Sequence, residues 1–569
     1  MDAEPRDRSR LGAQLRQSMR KTPPAASTKH VLNVCEHLIA LLPESEKTKP
    51  QVLLLAGGVV EYRNDTDREI AFRQESNFKY LTGCDVPSSY VLVAYQPGTS
   101  LERTPSVELF IPAANLADMM WSVPPPSLAA AQETHNVTRV DHPPALPTAI
   151  EKLLKALPSA LFHVLPRSSP LLPAVSEEFI APILAHEGGA VTDFYLLSAL
   201  HRARLIKDEH EITLIRKACD ISSRAHEVVM RVLGAAVKGG IVAGAGAGIN
   251  RPLLPSEWLI EKEAEAEAIF VASCRREGAV HQAYLPIVAA STRASTLHYC
   301  CNGGNDKEFA WGPVGAHDHH NSNSLSSSGR DLKPQVLLID AGCEWTCYAS
   351  DITRTMPVGN GGRFTPEAKA IYELVSEMQR SCIEILKPGL HWDAAHLLSH
   401  RILVRGFQRL GIFKSPDSPN SGSWASEEAI LASGQSAAFY PHGLGHSLGM
   451  DVHDVPSASK PAVNPSISSD NSNKGIELGH ASFYEHLRLR LKLEAGMVVT
   501  VEPGIYFSPH LLASIRESSL IDHAVLKRYE AVGGVRIEDV VHITADGVEN
   551  LTKVKSDVEW IEGVCSGKL

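Results

Sequence analysis

Cysteine is scarce in this sequence, which argues against a fold held together by disulfide bonds. Ten cysteines are spread over 569 residues without a paired framework, and a chain of this length can bury a core without covalent links. The first 27 residues are polar and charged and lack the apolar segment of an export signal. We therefore expect reduced thiols, a cytoplasmic location and a disordered tail over residues 1–27.

Long hydrophobic runs and an excess of positive charge are also missing. No apolar stretch approaches the ~20 residues that cross a bilayer. The chain has 55 Lys and Arg against 65 Asp and Glu, a formal net charge of −10, whereas nucleic-acid-binding proteins usually carry a basic excess. The sequence therefore predicts a globular protein that binds neither a membrane nor nucleic acid.

Strand-like runs alternate with helix-like segments in the first third of the chain. Residues 51–58 (QVLLLAGG) form an apolar run typical of a buried strand, while residues 28–42 carry apolar side chains at helical spacing. This alternation predicts an α/β domain over residues 28–200. A second domain is expected over residues 201–569, and it begins with one long amphipathic helix predicted over 204–233.

Three segments of the second domain lack apolar periodicity, and we interpret them as mobile loops. They are the Gly/Ala-rich segment 239–255 and two segments rich in serine and asparagine, 315–331 and 457–475. Because the last of them follows a histidine-rich motif, it could narrow or widen access to a site there.

Acidic residues end or open strand-like runs in the C-terminal half. VLLI precedes Asp340, and Asp351 opens the run ITRTMPV. Two such strands in a hairpin would bring both carboxylates to one point, although strand-end aspartates can also simply cap turns. Glu502 follows VVTV, and Glu538 lies inside an apolar alternation. A buried carboxylate needs a cation or a strong donor, so these are candidate metal ligands, with an ordinary ion pair between Glu538 and Arg536 as the alternative.

Histidines cluster in the segment YPHGLGHSLGMDVHDVP, residues 440–456. His442, His446 and His453 lie among glycines, which let the backbone approach a ligand closely. Three histidines in such a segment indicate metal binding or catalysis. His298, in STLHYCCNGG, is a further candidate imidazole.

The strongest candidates form an oxygen-rich donor set with one imidazole: Asp340, Asp351, His446, Glu502 and Glu538. Such a set suits Mn²⁺ and similar hard cations. Two divalent ions would balance the charge of the carboxylates, and a pair of metals can share a water and deliver it as hydroxide. The remaining histidines would then stabilise a tetrahedral intermediate and move protons. The residues therefore predict metal-assisted hydrolysis of an acyl bond.

The motifs resemble those of the Xaa-Pro aminopeptidase and prolidase group, which are dinuclear metallopeptidases with the pita-bread fold. They are DAG (340–342), SDITRT (350–355), HGLGH (442–446), VHD (452–454), VEPG (501–504) and RIED (536–539). Residues 63–93, with FRQ and YLTG, resemble the group's N-terminal domain. The resemblance implies an α/β N-terminal domain of the aminopeptidase P type, followed by an α+β pita-bread (creatinase/aminopeptidase-like) catalytic domain.

The resemblance also implies roles for individual residues. Two divalent ions, most simply Mn²⁺, would be held by Asp340, Asp351, His446, Glu502 and Glu538. His298 would bind substrate, His453 would contact the substrate carbonyl, and His442 would be a donor close to the site. Arg536 would orient the carboxylates beside it. The implied substrates are peptides with proline at the second position, and the implied assembly is a homodimer.

Aminopeptidase and dipeptidase activity remain alternatives at this point. Arg488 and Arg490 lie where the resemblance places the carboxylate-binding arginines of prolidases, and a bidentate arginine is a credible anchor. An alternating strand with solvated cations would explain the same pattern, and we favour the aminopeptidase. An amidinohydrolase related to creatinase would lack the full metal set, and an inactive binding module of this fold would have lost its ligands.

Overall fold

The computed structural model describes residues 27–97, 104–239, 254–299, 309, 311–312, 331–418, 422–460 and 480–569. Almost all of the predicted tail, and most of the three predicted loops at 239–255, 315–331 and 457–475, lie outside the described residues. The chain divides into two compact units, one ending at Arg204 and the other beginning at Leu205.

A six-stranded sheet forms the centre of the first unit, with the strand order β4-β3-β2-β1-β5-β6. Its strands are β1 (Gln51–Ala56), β2 (Tyr90–Tyr95), β3 (Ser106–Phe110), β4 (Arg139–Asp141), β5 (Leu161–His163) and β6 (Ala190–Thr192). The helices are α1 (Ser27–Leu41), α2 (Ser76–Thr82), α3 (Leu128–Thr134), α4 (Leu146–Ala156), α5 (Glu177–Ala185) and α6 (Leu196–Leu205). Every residue of β1 is buried, because it is an interior strand, antiparallel to β2 and parallel to β5.

The second unit contains several small sheets and the longer helices. Its strands are β7 (Ile287–Ala290), β8 (Trp311–Gly312), β9 (Asp331–Leu332), β10 (Gln335–Asp340), β11 (Glu344–Trp345), β12 (Tyr348–Ala349), β13 (Thr353–Val358), β14 (Val498–Val501), β15 (Gly504–Tyr506), β16 (Gly534–Arg536), β17 (Asp539–Ile543) and β18 (Val548–Asn550). Its helices are α7 (Glu209–Lys238), α8 (Glu263–Arg276), α9 (Pro366–Ile385), α10 (Trp392–Leu410), α11 (Glu427–Ala432), α12 (Pro456–Ser459), α13 (Pro509–Leu512), α14 (His523–Tyr529) and α15 (Val558–Cys565).

The single helix predicted over 204–233 is wrong at its start. The structure ends α6 at Leu205 and begins α7 at Glu209. Asp208 between them accepts hydrogen bonds from the backbone N–H groups of His210 and Glu211, and the Glu211 side chain accepts from the backbone N–H of Asp208 in return. This capping box satisfies N–H groups that a continuous helix would have bonded internally.

Four pairings of short strands assemble the region that holds the acidic motifs. β10 pairs antiparallel with β13 on one side and with β7 on the other. β14 pairs with β17, and β15 pairs with β16. Each candidate carboxylate therefore sits at the end of a buried strand or beside one. Among the described residues, no helix is both long enough and apolar enough to cross a membrane.

Two buried histidines of α10 make the stability of the second unit sensitive to acid. Burial lowers the pKa of His396 to about 4 and that of His400 well below its usual range. The charges of His396 and His442 lower the pKa of His400 further, and the charge of Arg490 acts on His396 in the same direction. Both are neutral in the folded protein, whereas the unfolded chain binds their protons below about pH 6.5. Stability is therefore lost as the pH falls from about 6.5 towards 4.

We expect these two histidines to lower the melting temperature of the metal-free protein across that pH window. His400→Phe keeps the stacking on Phe483, whose ring centre lies 4.1 Å away, and removes one titrating group. The variant should show a shallower pH slope between pH 6.5 and 4.5, measured by thermal unfolding in matched buffers. An unchanged slope in this variant would contradict the assignment of the acid sensitivity to His400.

Candidate metal centre

The first two predicted ligands are brought together by one hairpin. Asp340 is the last residue of β10, and Asp351 precedes β13, its antiparallel partner. The hydroxyl of Tyr284 lies within hydrogen-bond distance of both carboxylates, 2.5 Å from Oδ1 of Asp351, and can donate its one hydrogen to either of them. The hairpin expected from the sequence is confirmed, and it is joined by a tyrosine that no sequence pattern indicated.

His446 faces the same point through a defined ring nitrogen. Its Nδ1 donates to the carbonyl of Ser447 at 3.1 Å, so the unprotonated Nε2 points towards Asp351 Oδ2 at 3.3 Å and Glu502 Oε1 at 3.5 Å. Burial lowers the pKa of His446 to about 4, which keeps this lone pair free. A β-carbon at Gly445 would lie 2.0 Å from a carbonyl oxygen of β14, so only glycine allows the motif to pack there.

Glu538 completes a buried group of donors. It lies between β16 and β17, and the hydroxyl of Thr353 donates to its Oε2 at 2.7 Å. One ligand atom each from Asp351, His446 and Glu538 lie within 4.8 Å of one another, and all three residues are buried. These oxygen and nitrogen donors fit a divalent cation by their chemistry and spacing.

The carboxylates repel one another strongly in this buried region. Burial raises the pKa of Asp351, Glu502 and Glu538 well above the usual range, and neighbouring carboxylates raise each of them further. For Asp351 the neighbours are Asp340 and Glu502. Because these three carboxylates are costly to ionise, they indicate that a cation belongs between them.

Arg536 contacts the cluster but cannot balance it. Its Nη2 donates to Asp340 Oδ2 at 2.5 Å, its Nε to the hydroxyl of Thr353 at 3.0 Å, and its Nη1 to the hydroxyl of Tyr506 at 2.8 Å. The ion pair considered between Arg536 and Glu538 is therefore replaced by one with Asp340. A single guanidinium leaves most of the negative charge of the cluster uncompensated, so the site fits metal ions.

His442 is connected to Arg536 through Tyr506. The Nδ1 of His442 donates to the carbonyl of Gly443 at 2.8 Å, and its Nε2 accepts from the Tyr506 hydroxyl at 2.8 Å. Burial, assisted by the charge of Arg536, lowers the pKa of His442 to about 3. The ring is therefore neutral and held in one tautomer. Tyr506, two residues after the VEPG motif, was missed by the sequence reasoning.

The other two histidines lie near this centre. The ring of His453 packs edge-on against His446, with centres 4.5 Å apart, and burial followed by the charge of His446 lowers the pKa of His453 to about 3. His298 is exposed, and its charge contributes to the lowered pKa values of both His442 and His453. His298 is thus within electrostatic range of both His442 and His453.

A cavity of about 400 Å³ opens beside the cluster, lined by His446, His453 and Arg488 among others. Arg488 is exposed, and its charge acts on His446, His453 and Glu502. Arg490 is differently placed, because its Nη2 donates to the buried Asp393 at 2.7 Å and its guanidinium stacks on an aromatic ring. Of the two predicted arginines, Arg488 lines this cavity, whereas the guanidinium of Arg490 is bonded to Asp393.

Two family models match the chain. The model of metallopeptidase family M24 matches residues 213–545, more than half of the chain. The model of the aminopeptidase P N-terminal domain matches residues 30–162. The first match contains every candidate ligand described above, and the second falls within the first compact unit.

Relatives of known name match over nearly the whole chain. A probable Xaa-Pro aminopeptidase of Pyricularia oryzae is 35% identical and covers 93% of this chain and 95% of its own. One from Podospora anserina is 36% identical, with 90% and 92% covered. Among solved structures, aminopeptidase P from E. coli with the inhibitor Pro-Leu has a TM-score of 0.66 and 25% identity, covering 95% of this chain and 99% of that one.

Proposed function

Since the chain belongs to metallopeptidase family M24, we propose that it is a metal-dependent aminopeptidase that hydrolyses the Xaa-Pro bond at the N-terminus of peptides. The observation that carries this proposal is the buried carboxylate cluster facing Nε2 of His446. The comparisons confirm the predicted fold class, an α/β N-terminal domain followed by a pita-bread catalytic domain, and the prediction of a hydrolase.

The ligand assignment is part of the proposal. We assign two divalent ions to the five residues Asp340, Asp351, His446, Glu502 and Glu538, and we favour Mn²⁺ because the donors are mainly carboxylate oxygens. Bound there, the ions would lower the pKa of a shared water and supply hydroxide for attack on the substrate carbonyl. The support is that Asp351, His446 and Glu538 are buried together, and that burial, followed by repulsion from neighbouring carboxylates, raises the pKa values of Asp351 and Glu538.

The surrounding side chains have separate tasks in this proposal. Arg536 fixes the carboxylate of Asp340 and the hydroxyl of Tyr506, and Tyr506 in turn fixes the ring of His442. His453, neutral beside His446, can donate a hydrogen bond to the oxygen that becomes negative when the carbonyl is attacked. His298 would bind the substrate. An Xaa-Pro bond has no N–H, so recognition through the carbonyl suits this substrate.

The test compares a dipeptide with a longer peptide. Protein loaded with Mn²⁺ should cleave an Xaa-Pro-Xaa peptide, and a chelator should abolish the cleavage until Mn²⁺ is added back. Parallel loading with Zn²⁺ or Co²⁺ tests the choice of metal. Cleavage of Gly-Pro alone would indicate a dipeptidase, and cleavage of neither peptide with metal bound would contradict the proposed function.

Arg488 provides a prediction about substrate length. If its exposed guanidinium binds the terminal carboxylate of short substrates, Arg488→Met should raise KM for an Xaa-Pro-Xaa tripeptide by roughly 10-fold or more and leave a decapeptide nearly unchanged, because a charge-assisted bidentate contact is lost only for the short peptide. The matched control is Arg490→Met, which breaks the pair with Asp393. It should lower stability and affect both peptides equally. Equal effects of Arg488→Met on both lengths would rule out this anchor.

We also propose a homodimer in the cytoplasm. The first unit exposes a run of large apolar side chains, with Leu116 at 85%, Trp121 at 80% and Val123 at 92% exposure. Monomers rarely expose contiguous apolar surface of this kind, and a second copy of the chain would cover it. Light scattering after gel filtration should give twice the monomer mass, and Trp121→Ser should reduce that mass if this surface forms the dimer.

A further inference from the structure

Outside the metal cluster there is a buried carboxylate whose two oxygens both accept hydrogen bonds. Glu263, at the first position of α8, has a fully buried side chain. Its Oε1 accepts from the backbone N–H of Ala290 at 2.7 Å and from Nε of Arg293 at 2.7 Å. Its Oε2 accepts from the hydroxyl of Tyr299 at 2.8 Å. An ionised carboxylate is rarely buried unless its oxygens accept hydrogen bonds or pair with a cation in this way.

These donors lie at the beginning, the middle and the end of one segment. Ala290 is the last residue of β7, Arg293 lies in the 3₁₀ helix Ser291–Ser295, and Tyr299 directly follows His298. One side chain therefore ties together both ends of the stretch that carries the candidate substrate-binding histidine. No regular hydrogen-bonded strand or α-helix supports this stretch beyond Ser295.

The same segment also rests against two glycines. A β-carbon at Gly533 would lie 2.0 Å from the carbonyl oxygen of Ser291, and one at Gly534 would lie 2.3 Å from that of Ala294. Gly534 begins β16, which ends at Arg536. The segment is thus packed directly against the strand that leads into the metal cluster, and Glu263 bonds to it independently of that strand.

We propose that Glu263 is a positioning residue that fixes His298 relative to the metal cluster. Glutamine has the same shape but carries no charge, so it would lose the ion pair with Arg293. Its amide NH₂ would also face either the N–H of Ala290, where two donors would oppose each other, or the hydroxyl of Tyr299, which would have to accept instead of donate. Either change weakens the hold of residue 263 on the segment. This inference rests on the proposed peptidase function and adds to it a residue that does not itself touch substrate.

A double-mutant cycle with His298 tests the proposal. In the Mn²⁺-loaded full-length protein, Glu263→Gln should lower kcat/KM for an Xaa-Pro-Xaa peptide by roughly 10- to 100-fold, the usual effect of losing a supporting partner, with unchanged metal content. In a His298→Ala background, the same substitution should change kcat/KM less than about twofold, because the residue through which Glu263 acts is already gone. Glu267→Gln, one turn along the same helix, is the control and should stay near wild type.

Tyr299→Phe provides a second route if Glu263→Gln does not fold. It removes one donor from the carboxylate and should show a smaller loss with the same dependence on His298. Equal losses in both backgrounds, or no loss in the His298-containing protein, would overturn the positioning role. A wild-type protein that binds Mn²⁺ but cleaves no Xaa-Pro peptide would instead overturn the proposed function, and with it this inference.

Discussion

Replacing Asp351 by asparagine should reduce peptidase turnover by roughly a thousandfold or more. The carboxylate lies within 3.3 Å of Nε2 of His446 and belongs to the buried donor group. A neutral amide cannot serve as an anionic ligand, and a bound metal contributes several kcal/mol to transition-state stabilisation, with about 1.4 kcal/mol for each tenfold change in rate. His446→Ala should have an effect of the same size. The measurements are kcat/KM and metal content per chain.

The same substitution should not weaken the metal-free fold. Burial and two neighbouring carboxylates raise the pKa of Asp351, so removing its charge relieves repulsion in the absence of metal. The melting temperature of metal-free Asp351→Asn should therefore equal or exceed that of the wild type, whereas added Mn²⁺ should stabilise only the wild type strongly. Glu277→Gln, at a partly exposed ion pair with Arg224, is the control. Wild-type turnover and metal content in Asp351→Asn would refute the ligand assignment.

The acidic part of the site was predictable because each carboxylate ends or adjoins an apolar run. VVTV is strand β14 with the predicted bounds, and Glu502 follows it directly. Asp340 likewise ends β10. A strand that is buried on both sides delivers its terminal side chain to a fixed place, so a local pattern carries information about the site.

Contacts between residues far apart in the sequence were not predictable. Tyr284 and Asp340 are 56 residues apart, and Thr353 and Glu538 are 185 residues apart, so no local spacing relates them. The break between α6 and α7 was missed for a different reason. Apolar residues continue at helical spacing across the break, and the only local sign of it is Asp208, whose side chain caps the start of α7.

The last prediction concerns Arg536, the only guanidinium among the described residues that donates to Asp340. Arg536→Met removes three hydrogen bonds, to Asp340, to Thr353 and to Tyr506. It leaves an uncompensated buried carboxylate, which typically costs about 3–5 kcal/mol. We expect this loss in urea unfolding of the metal-free protein and a fall of roughly 100-fold or more in kcat/KM, since the chain from Arg536 through Tyr506 to His442 is broken.

Two comparisons separate the charge of Arg536 from its geometry. Arg536→Lys keeps the charge but offers a single ammonium in place of a planar fork, so most of the stability should return while activity stays low. Saturating Mn²⁺ should also recover part of the stability lost in Arg536→Met, because metal ions at the cluster would supply the missing positive charge. An equal loss of stability with and without Mn²⁺ would mean that Arg536 acts through packing alone, and that its positive charge and that of the metal ions do not stabilise the same carboxylates.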